Sequence, residues 1–211
     1  MNTLFHGAVN TTVAVQLRKR LPWLRPSTVL WASLIPDIPL LFLTLWYFRR
    51  YGFGFGARYD ELFYNDPLWI ISHNLFHAPL IIAVVGILGW VVWRRGRDDA
   101  GNGYGAVQKD SSPEAASGGP AGLTGRIGSL LLSFAFGTGL HTLLDIPTHH
   151  NDGPLLLFPF DWTLRYASPV SYWDPAAGGR ILAPIDLGLT VLCIVFLALA
   201  WRRSRGAYTR R

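Results

Sequence analysis

The histidines and aspartates of this chain are concentrated in short motifs whose spacing suits metal coordination. These motifs are His6, Ser-His-Asn-Leu-Phe-His at residues 72–77, and His-Thr-Leu-Leu-Asp-Ile-Pro-Thr-His-His at residues 141–150. Residues four apart lie on one face of a helix. His73 and His77 form one such pair, and His141 and Asp145 form another. Imidazole nitrogens and carboxylate oxygens are the usual ligands of zinc and similar ions, so the spacing predicts a metal site built by two facing helices.

Most of these motifs lie in or beside stretches that are apolar enough to cross a membrane. The chain is 50% hydrophobic and 15% charged, which is too apolar for an ordinary soluble domain of 211 residues. A spanning helix needs about 20 apolar residues. Four stretches meet that requirement, namely residues 29–48, 68–93, 127–146 and 181–201. The predicted fold class is an all-α integral membrane bundle with four transmembrane helices.

The segments outside these four stretches differ in character. Residues 3–17 are apolar but interrupted by His6, Asn10 and Gln16, which predicts a helix shielded by the other four or lying partly re-entrant. Residues 96–125 are rich in glycine, serine and alanine without apolar periodicity. Such a composition cannot bury enough surface to fold. We therefore predict one membrane domain over residues 1–211 with a flexible cytoplasmic loop at 96–125.

Prolines within two of the spans predict departures from a straight helix. Pro36 and Pro39 lie in the first stretch and Pro79 in the second. An internal proline removes a helical hydrogen bond and clashes with the preceding turn. Both helices are therefore predicted to be kinked.

The basic residues predict the orientation of the bundle. The formal charge is +6, but the basic residues form short runs beside apolar segments, which is typical of helix ends and not of a nucleic-acid surface. The loop after Trp93 and the C-terminal tail carry most of them, whereas residues 147–180 contain Arg165 and Arg180 alone. The positive-inside rule then predicts a multi-pass inner-membrane protein whose histidine motifs lie towards the outer face. No nucleic-acid partner is predicted.

Two aspartates inside the apolar stretches need a compensating group. Asp37 and Asp186 lie in spans that contain no lysine or arginine. A charged aspartate at mid-membrane costs about 2.5 to 3.5 kcal/mol even on the lenient insertion scale. A metal cation, a wet cavity or protonation must offset that cost.

A short pattern occurs twice along the chain. Phe5-His6 precedes Asp37-Ile38-Pro39, and Phe76-His77 precedes Asp145-Ile146-Pro147. If the repetition reflects an internal duplication, each half would donate one histidine and one aspartate to one metal of a two-metal centre.

Together these motifs resemble the bacterial and archaeal membrane-bound metal-dependent hydrolases of the YdjM-type, LexA-regulated group. The resemblance covers most of the chain, and its most specific part is His141-Thr-Leu-Leu-Asp145-Ile-Pro-Thr-His149. It implies a metal set that comprises His6, Asp37, His73, His77, His141 and Asp145, to which the sequence adds His149. Many relatives carry one residue more between the two histidines that match His73 and His77. Which of these two corresponds to the first ligand of the family therefore stays open.

The expected activity is hydrolysis assisted by one or two divalent transition-metal ions, with zinc as the first choice. The ion would acidify a bound water, and a nearby carboxylate, Asp37 or Asp161, would accept its proton. A site near the outer membrane surface suits an ester or phosphoester, and the expected partners are membrane lipid and a small-molecule or lipid substrate.

Two other classes use the same side chains. A b-type haem protein clamps its cofactor between histidines on facing helices. A metal or proton transporter forms a relay of intramembrane acids and histidines.

Overall fold

The computed structural model describes residues 2–52, 56–105 and 122–208 as a bundle of helices joined by short turns and one longer loop. Its α-helices are α1 (Thr3–Leu17), α2 (Pro26–Leu34), α3 (Ile38–Tyr51), α4 (Gly56–Asn65), α5 (Pro67–Asn74), α6 (Pro79–Gly105), α7 (Leu123–Asp145) and α8 (Gly179–Tyr208). Short 3-10 helices lie at Ile35–Asp37, Ile146–Thr148 and Pro175–Ala177.

Among the residues that the structure describes, four helical segments are long and apolar enough to cross a membrane. They are Pro26–Tyr51, Pro79–Asp98, Leu123–Thr148 and Gly179–Arg203. Their outward faces carry large apolar side chains, such as Leu192 at 66% exposure. Polar side chains such as His6, Asn10 and His141 are fully buried. An apolar exterior around a polar interior is what a lipid environment favours, and the predicted helical membrane bundle is confirmed.

Helix α1 lies inside the bundle. It packs against α2, α7 and α8, and its buried residues include His6, Asn10 and Ala14. The amide of Asn10 donates hydrogen bonds to Ser33 Oγ on α2 at 3.0 Å and to the Gly137 carbonyl on α7 at 3.4 Å. The prediction that the other helices shield this polar segment is therefore confirmed.

The second span differs from its prediction. It begins at Pro79, and residues 67–74 form the separate helix α5. Pro79 has no N–H to continue a helix from α5, but it fits the first turn of a new one. The predicted kink at Pro79 is therefore a helix start. The first span departs from α-helix as predicted, with a 3-10 turn at Ile35–Asp37.

Glycines bring the central helices close together. A Cβ at Gly137 on α7 would lie 2.7 Å from the Ala32 Cβ and 2.9 Å from the Val29 carbonyl oxygen on α2. A Cβ at Gly128 would lie 2.3 Å from the backbone nitrogen of Trp93 on α6. Helix α7 is thus held tightly between two neighbours, which fixes the side chains that it presents to the interior.

Part of the segment predicted to be a loop is helical. Helix α6 continues to Gly105 and α7 begins at Leu123. Residues 106–121 of the predicted 96–125 loop lie outside the described residues, so its flexibility stays a prediction.

Candidate metal centre

Helix α7 supplies the first two groups of the centre. His141 and Asp145 are one turn apart, both are buried, and His141 Nε2 lies 3.0 Å from Asp145 Oδ2. Nδ1 of His141 contacts the Ser33 carbonyl oxygen of α2 at 2.8 Å. The close approach of α2 at Gly137 brings that carbonyl within reach. The predicted i,i+4 pair therefore points into the bundle.

Helix α1 adds His6 from the opposite side. Its Nε2 lies 2.9 Å from Asp145 Oδ1. Its ring stacks on that of His141, with centroids 3.7 Å apart. Two imidazoles from different helices thus share one carboxylate.

Asp37 enters the centre from the 3-10 turn that breaks the first span. Its Oδ1 lies 3.4 Å from His77 Nε2 and 3.5 Å from His141 Nε2. Its Oδ2 accepts a hydrogen bond from Thr3 Oγ1 at 2.5 Å. The turn directs the carboxylate inward because Pro36 and Pro39 prevent a regular α-helix here. With 31% of its side chain exposed, Asp37 is the most accessible member of the cluster.

His77 lies in the turn between α5 and α6, and not on a continuous helix with His73. Its Nε2 is 3.1 Å from His141 Nε2. Its Nδ1 is 2.5 Å from the His73 carbonyl oxygen. Thr142 on α7 donates a hydrogen bond to the His77 carbonyl at 2.9 Å. The turn is therefore tied to the same helix that carries His141.

The hydrogen bonds of His77 and His141 fix which nitrogen each ring presents. A backbone carbonyl only accepts hydrogen bonds, so each Nδ1 must carry the proton that is shared with it. In the neutral rings both Nε2 atoms are then left with lone pairs, facing each other at 3.1 Å. Two facing lone pairs repel unless a proton or a cation lies between them. Two nitrogens bound to one tetrahedral zinc ion at about 2.05 Å would lie about 3.3 Å apart, close to this spacing.

Within the described part of the chain, two overlapping groups of side chains have ligand atoms close enough to hold a metal ion. One is His6, His141 and Asp145, and the other is Asp37, His77 and His141; in each, the ligand atoms lie within 4.8 Å of one another. His141 belongs to both groups but has one nitrogen available, since Nδ1 contacts a carbonyl. The residues present fit a metal ion of the class that imidazole and carboxylate bind.

The pairing within this cluster crosses the two halves of the chain that share the Phe-His and Asp-Ile-Pro pattern. His6 of the first half contacts Asp145 of the second at 2.9 Å, and His77 of the second half lies 3.4 Å from Asp37 of the first. Each aspartate also adjoins a 3-10 turn, Ile35–Asp37 in one half and Ile146–Thr148 in the other. Within the second half, His77 and His141 also lie 3.7 and 3.0 Å from Asp145, so the two halves share one cluster.

Three predicted residues occupy other positions. His73 is buried and stacks on the His77 ring with centroids 4.5 Å apart, but it belongs to neither metal-fitting group. His149 Nε2 lies 3.4 Å from Asp145 Oδ1, at the edge of the cluster. Asp161 lies outside it, where its Oδ1 accepts hydrogen bonds from Thr163 and Leu164 within its own turn. Asp161 is therefore not our candidate for accepting the proton of the attacking water.

Asp152 and Tyr172 join the site without having been predicted. Asp152 Oδ2 lies 3.0 Å from His149 Nδ1 and accepts a hydrogen bond from Trp173 Nε1 at 3.0 Å. Burial opposes ionisation of Asp152, but the hydrogen bonds from His149 and Trp173 hold the pKa of its carboxyl below the usual value. Burial and the nearby Asp145 raise the pKa of the Tyr172 phenol above its usual value. In the sequence, the i,i+3 spacing of His149 and Asp152 was the feature that could have identified Asp152 as part of the site.

One pocket reaches the cluster. Its volume is about 310 Å³, at the lower end of the range for small-molecule sites. Its polar lining is Asn2, Thr3, Asp37, His73, His77, Asp145, His149, Asp152 and Tyr172, and its less polar lining is Leu40, Leu41, Thr44, Tyr59 and Phe63. Five members of the predicted metal set therefore line a cavity of ligand size.

Comparison with known proteins agrees with the motifs. The model of the YdjM inner membrane protein family matches residues 1–209. Comparison with curated proteins and with solved structures gives no match. Because the family match spans nearly the whole chain, the protein belongs to the YdjM inner membrane protein family.

Proposed function

We propose that this protein is a membrane-embedded metal-dependent hydrolase. The observation that carries the proposal is the pair of Nε2 atoms of His77 and His141, 3.1 Å apart, while both Nδ1 atoms contact backbone carbonyls. A divalent ion, with zinc as our first choice, would remove the repulsion between the two nitrogens. The ligands in reach are His6, Asp37, His77, His141 and Asp145.

The number of ions follows from the shared ligand. His141 offers one nitrogen, so the two groups that contain it cannot both be filled through that atom. We propose one ion per chain at this position. A second ion would need its ligands from the carboxylates of the cluster and from His149.

When bound, an ion of this class supplies a Lewis acid and acidifies a coordinated water. Asp37 borders the pocket and is the least buried carboxylate of the cluster, so it is our candidate for accepting the proton of the attacking water. Tyr172 keeps its phenolic proton and lines the same pocket, where it can donate a hydrogen bond to the substrate. Hydrolysis would break the ester bond: the acyl or phosphoryl group gains the water hydroxyl, and the leaving alcohol gains a proton.

We further propose that the site lies towards the outer face of the inner membrane and that its partner is membrane lipid. The basic ends of α6 and α8 support this orientation. A carboxylic ester or a phosphoester is the expected scissile group.

The geometry argues against the haem alternative. Two axial histidines lie on opposite sides of the iron, which separates their nitrogens by about 4 Å, or twice a metal–nitrogen bond of about 2 Å. The 3.1 Å between His77 and His141 is shorter. The 3.7 Å stacking of His6 on His141 leaves no space for a porphyrin between those rings either.

The test is metal content, beside hydrolysis, in matched variants of one helix. Protein purified in detergent without chelators should carry about one transition-metal ion per chain and should hydrolyse p-nitrophenyl esters or phosphodiesters. His141→Ala should lose both, because it removes the nitrogen common to both ligand groups. Helix content should be unchanged, since insertion depends on the length and hydrophobicity of the spans.

Leu143→Ala is the control. Leu143 is 64% exposed and faces away from the centre, so its truncation should leave metal content intact and change stability by no more than about 0.5 kcal/mol. Equal metal in wild type and His141→Ala would contradict the proposed centre. Full metal with no hydrolysis of any probe would contradict the reaction and leave the centre standing.

A further inference from the structure

The pocket beside the metal centre has two chemically different ends. Asp37, His77 and Asp145 form a polar end, while Leu40, Leu41 and Thr44 of α3 form a wall that is mostly apolar. A ligand that fills both ends must itself be polar at one end and apolar at the other.

Exposure shows on which side the pocket opens. Among its fourteen lining residues, all of them within the described part of the chain, Leu41 alone is exposed, at 56%. The segment after α7 supplies Tyr172, His149 and Asp152 to another wall, and these side chains are half-buried. The opening therefore lies beside α3, and not through the loop that covers the polar end.

Helix α3 borders lipid at this opening. It belongs to the span Pro26–Tyr51, and none of its residues is buried. Leu41 is continuous with Phe42, Leu45 and Trp46, which are 68%, 56% and 67% exposed. An apolar face of this kind within a span is in contact with acyl chains.

We infer that the substrate is a membrane amphiphile with a long alkyl chain, which enters sideways from the bilayer. Its ester or phosphoester head would reach the His/Asp end, and its first methylenes would lie along Leu40, Leu41 and Thr44. The remainder of the chain would continue over the outer surface of α3, because the cavity holds only a head group and a few methylenes. This inference rests on the proposed function.

The experiment compares long and short substrates that share one head. The ester pair is p-nitrophenyl palmitate and p-nitrophenyl acetate. The phosphodiester pair is hexadecyl p-nitrophenyl phosphate and methyl p-nitrophenyl phosphate. Each is assayed in mixed micelles with zinc supplied. Since each buried methylene favours binding several-fold, the kcat/KM of the long probe should exceed that of the short one by about tenfold or more in one pair. That pair identifies the head chemistry.

A matched pair of variants tests where the alkyl chain of the substrate binds. Leu41→Trp narrows the opening and should lower the long-to-short ratio of kcat/KM by about tenfold. Leu192→Trp adds the same bulk at an exposed apolar position of α8, which does not line the pocket, and should leave the ratio unchanged. If Leu41→Trp does not fold, Thr44→Phe against Leu187→Phe of α8 repeats the comparison.

Binding is measured separately from hydrolysis by photo-crosslinking a hexadecyl phosphate that carries a chain diazirine. Labelling should be saturable, map to α3, and be displaced by the long probe but not by the short one. Displaceable labelling without hydrolysis would refute the proposed function and support this inference. Hydrolysis at equal rates for long and short probes, without displaceable labelling, would support the proposed function and refute this inference. If neither hydrolysis nor displaceable labelling is found, the proposed function and this inference are both refuted.

Discussion

At the scale of single residues, backbone carbonyls decide what the central histidines can bind. The Ser33 carbonyl contacts His141 Nδ1, and the His73 carbonyl contacts His77 Nδ1. Partners of this kind orient metal-binding imidazoles and fix their tautomers. His149 has a carboxylate in the same position, because Asp152 lies 3.0 Å from its Nδ1. A charged partner makes the ring more basic than a carbonyl does.

Replacement of Asp152 tests whether this partner of His149 contributes to zinc binding. Asp152→Ala should lower the affinity for zinc by about 10-fold, because Asp152 orients His149, which in turn contacts the ligand Asp145. Asp152→Asn keeps a hydrogen-bond acceptor without the charge, so its loss should be smaller. Titration of the metal-free protein with zinc against a competing chelator measures both.

Asp161→Ala is the matched control, because Asp161 binds only groups of its own turn in the contacts described. It should leave zinc affinity unchanged. An equal fall in Asp152→Ala and Asp161→Ala would mean that the loop acts on the centre through its fold alone.

Residue types and spacing predicted most of the centre but not the contacts that orient it. The His-x-x-x-Asp spacing at 141 and 145 places two ligands on one helix face, so that pair is readable from the sequence. Asp161 and Asp152 both follow helix α7 in a polar loop, and the i,i+3 spacing from His149 is the local signal that favours Asp152. The path of that loop, in which the Tyr172 amide donates to the Thr148 carbonyl, brings Asp152 to the centre and leaves Asp161 outside it.

At the scale of elements, the close contact of α2 with α7 holds the centre together. Gly137 lies one turn before His141, and its carbonyl accepts a hydrogen bond from Asn10 of α1. Three helices therefore meet at a position where a side chain does not fit. The separation of α2 and α7 determines whether the Ser33 carbonyl reaches His141.

Gly137→Ala should force these helices apart. The new Cβ would lie 2.7 Å from the Ala32 Cβ and 2.9 Å from a backbone oxygen that cannot move alone. Overpacking of this kind costs about 1 to 3 kcal/mol, and metal content should fall as His141 leaves its carbonyl partner. Thermal unfolding in detergent and elemental analysis measure the two effects.

Gly139→Ala provides the comparison on the same helix. Its Cβ would meet the Ile82 side chain at 3.5 Å, an ordinary contact. Alanine also favours a helix over glycine by up to about 1 kcal/mol, so stability should stay level or rise. Equal destabilisation by both changes would show that α7 tolerates no added bulk anywhere.

The helices were predictable from apolar length, and Pro79 predicted a kink in the second span, but the complete break between residues 74 and 79 was not predicted. The stretch 68–93 reads as a single apolar segment, yet α5 ends at Asn74 and α6 starts at Pro79. The side chain of Asn74 accepts a hydrogen bond from the Leu155 amide at 2.7 Å and donates one to the Ile70 carbonyl. Such a long-range partner has no signature in local composition. The break matters because it places His77 in a turn, where its Nδ1 contacts the His73 carbonyl and its Nε2 faces His141.

At the scale of the whole molecule, the charge distribution predicts which face of the membrane each end meets. Arg94, Arg95 and Arg97 lie at the end of the candidate span Pro79–Asp98, and Arg202 and Arg203 lie at the end of the span Gly179–Arg203. In the loop between α7 and α8, the Arg165 guanidinium donates to the Gly153 carbonyl and lies over the Phe63 ring at 5.2 Å. That cation is engaged within the protein, so the asymmetry is greater than a count of charges suggests.

Cysteine labelling tests the orientation. In a Cys193→Ser background, Thr163→Cys should react with a membrane-impermeant maleimide in intact cells, because Thr163 is exposed in the predicted outer loop. Ser111→Cys should react only after permeabilisation, since the positive-inside rule places residues 96–125 in the cytoplasm. The opposite pattern would invert the bundle and place the centre at the inner leaflet.

The reciprocal pairing of His6 with Asp145 and of His77 with Asp37 has a consequence for unfolding. The five ligands in reach are divided between the halves, since His6 and Asp37 come from the first and His77, His141 and Asp145 from the second, so the full set forms only when the halves are docked. Binding to the native state alone adds its free energy to that state. In the ion-loaded protein this free energy opposes the separation of the two halves, so that they come apart as one cooperative unit. Without the ion, only helix packing joins them, and one half can open before the other.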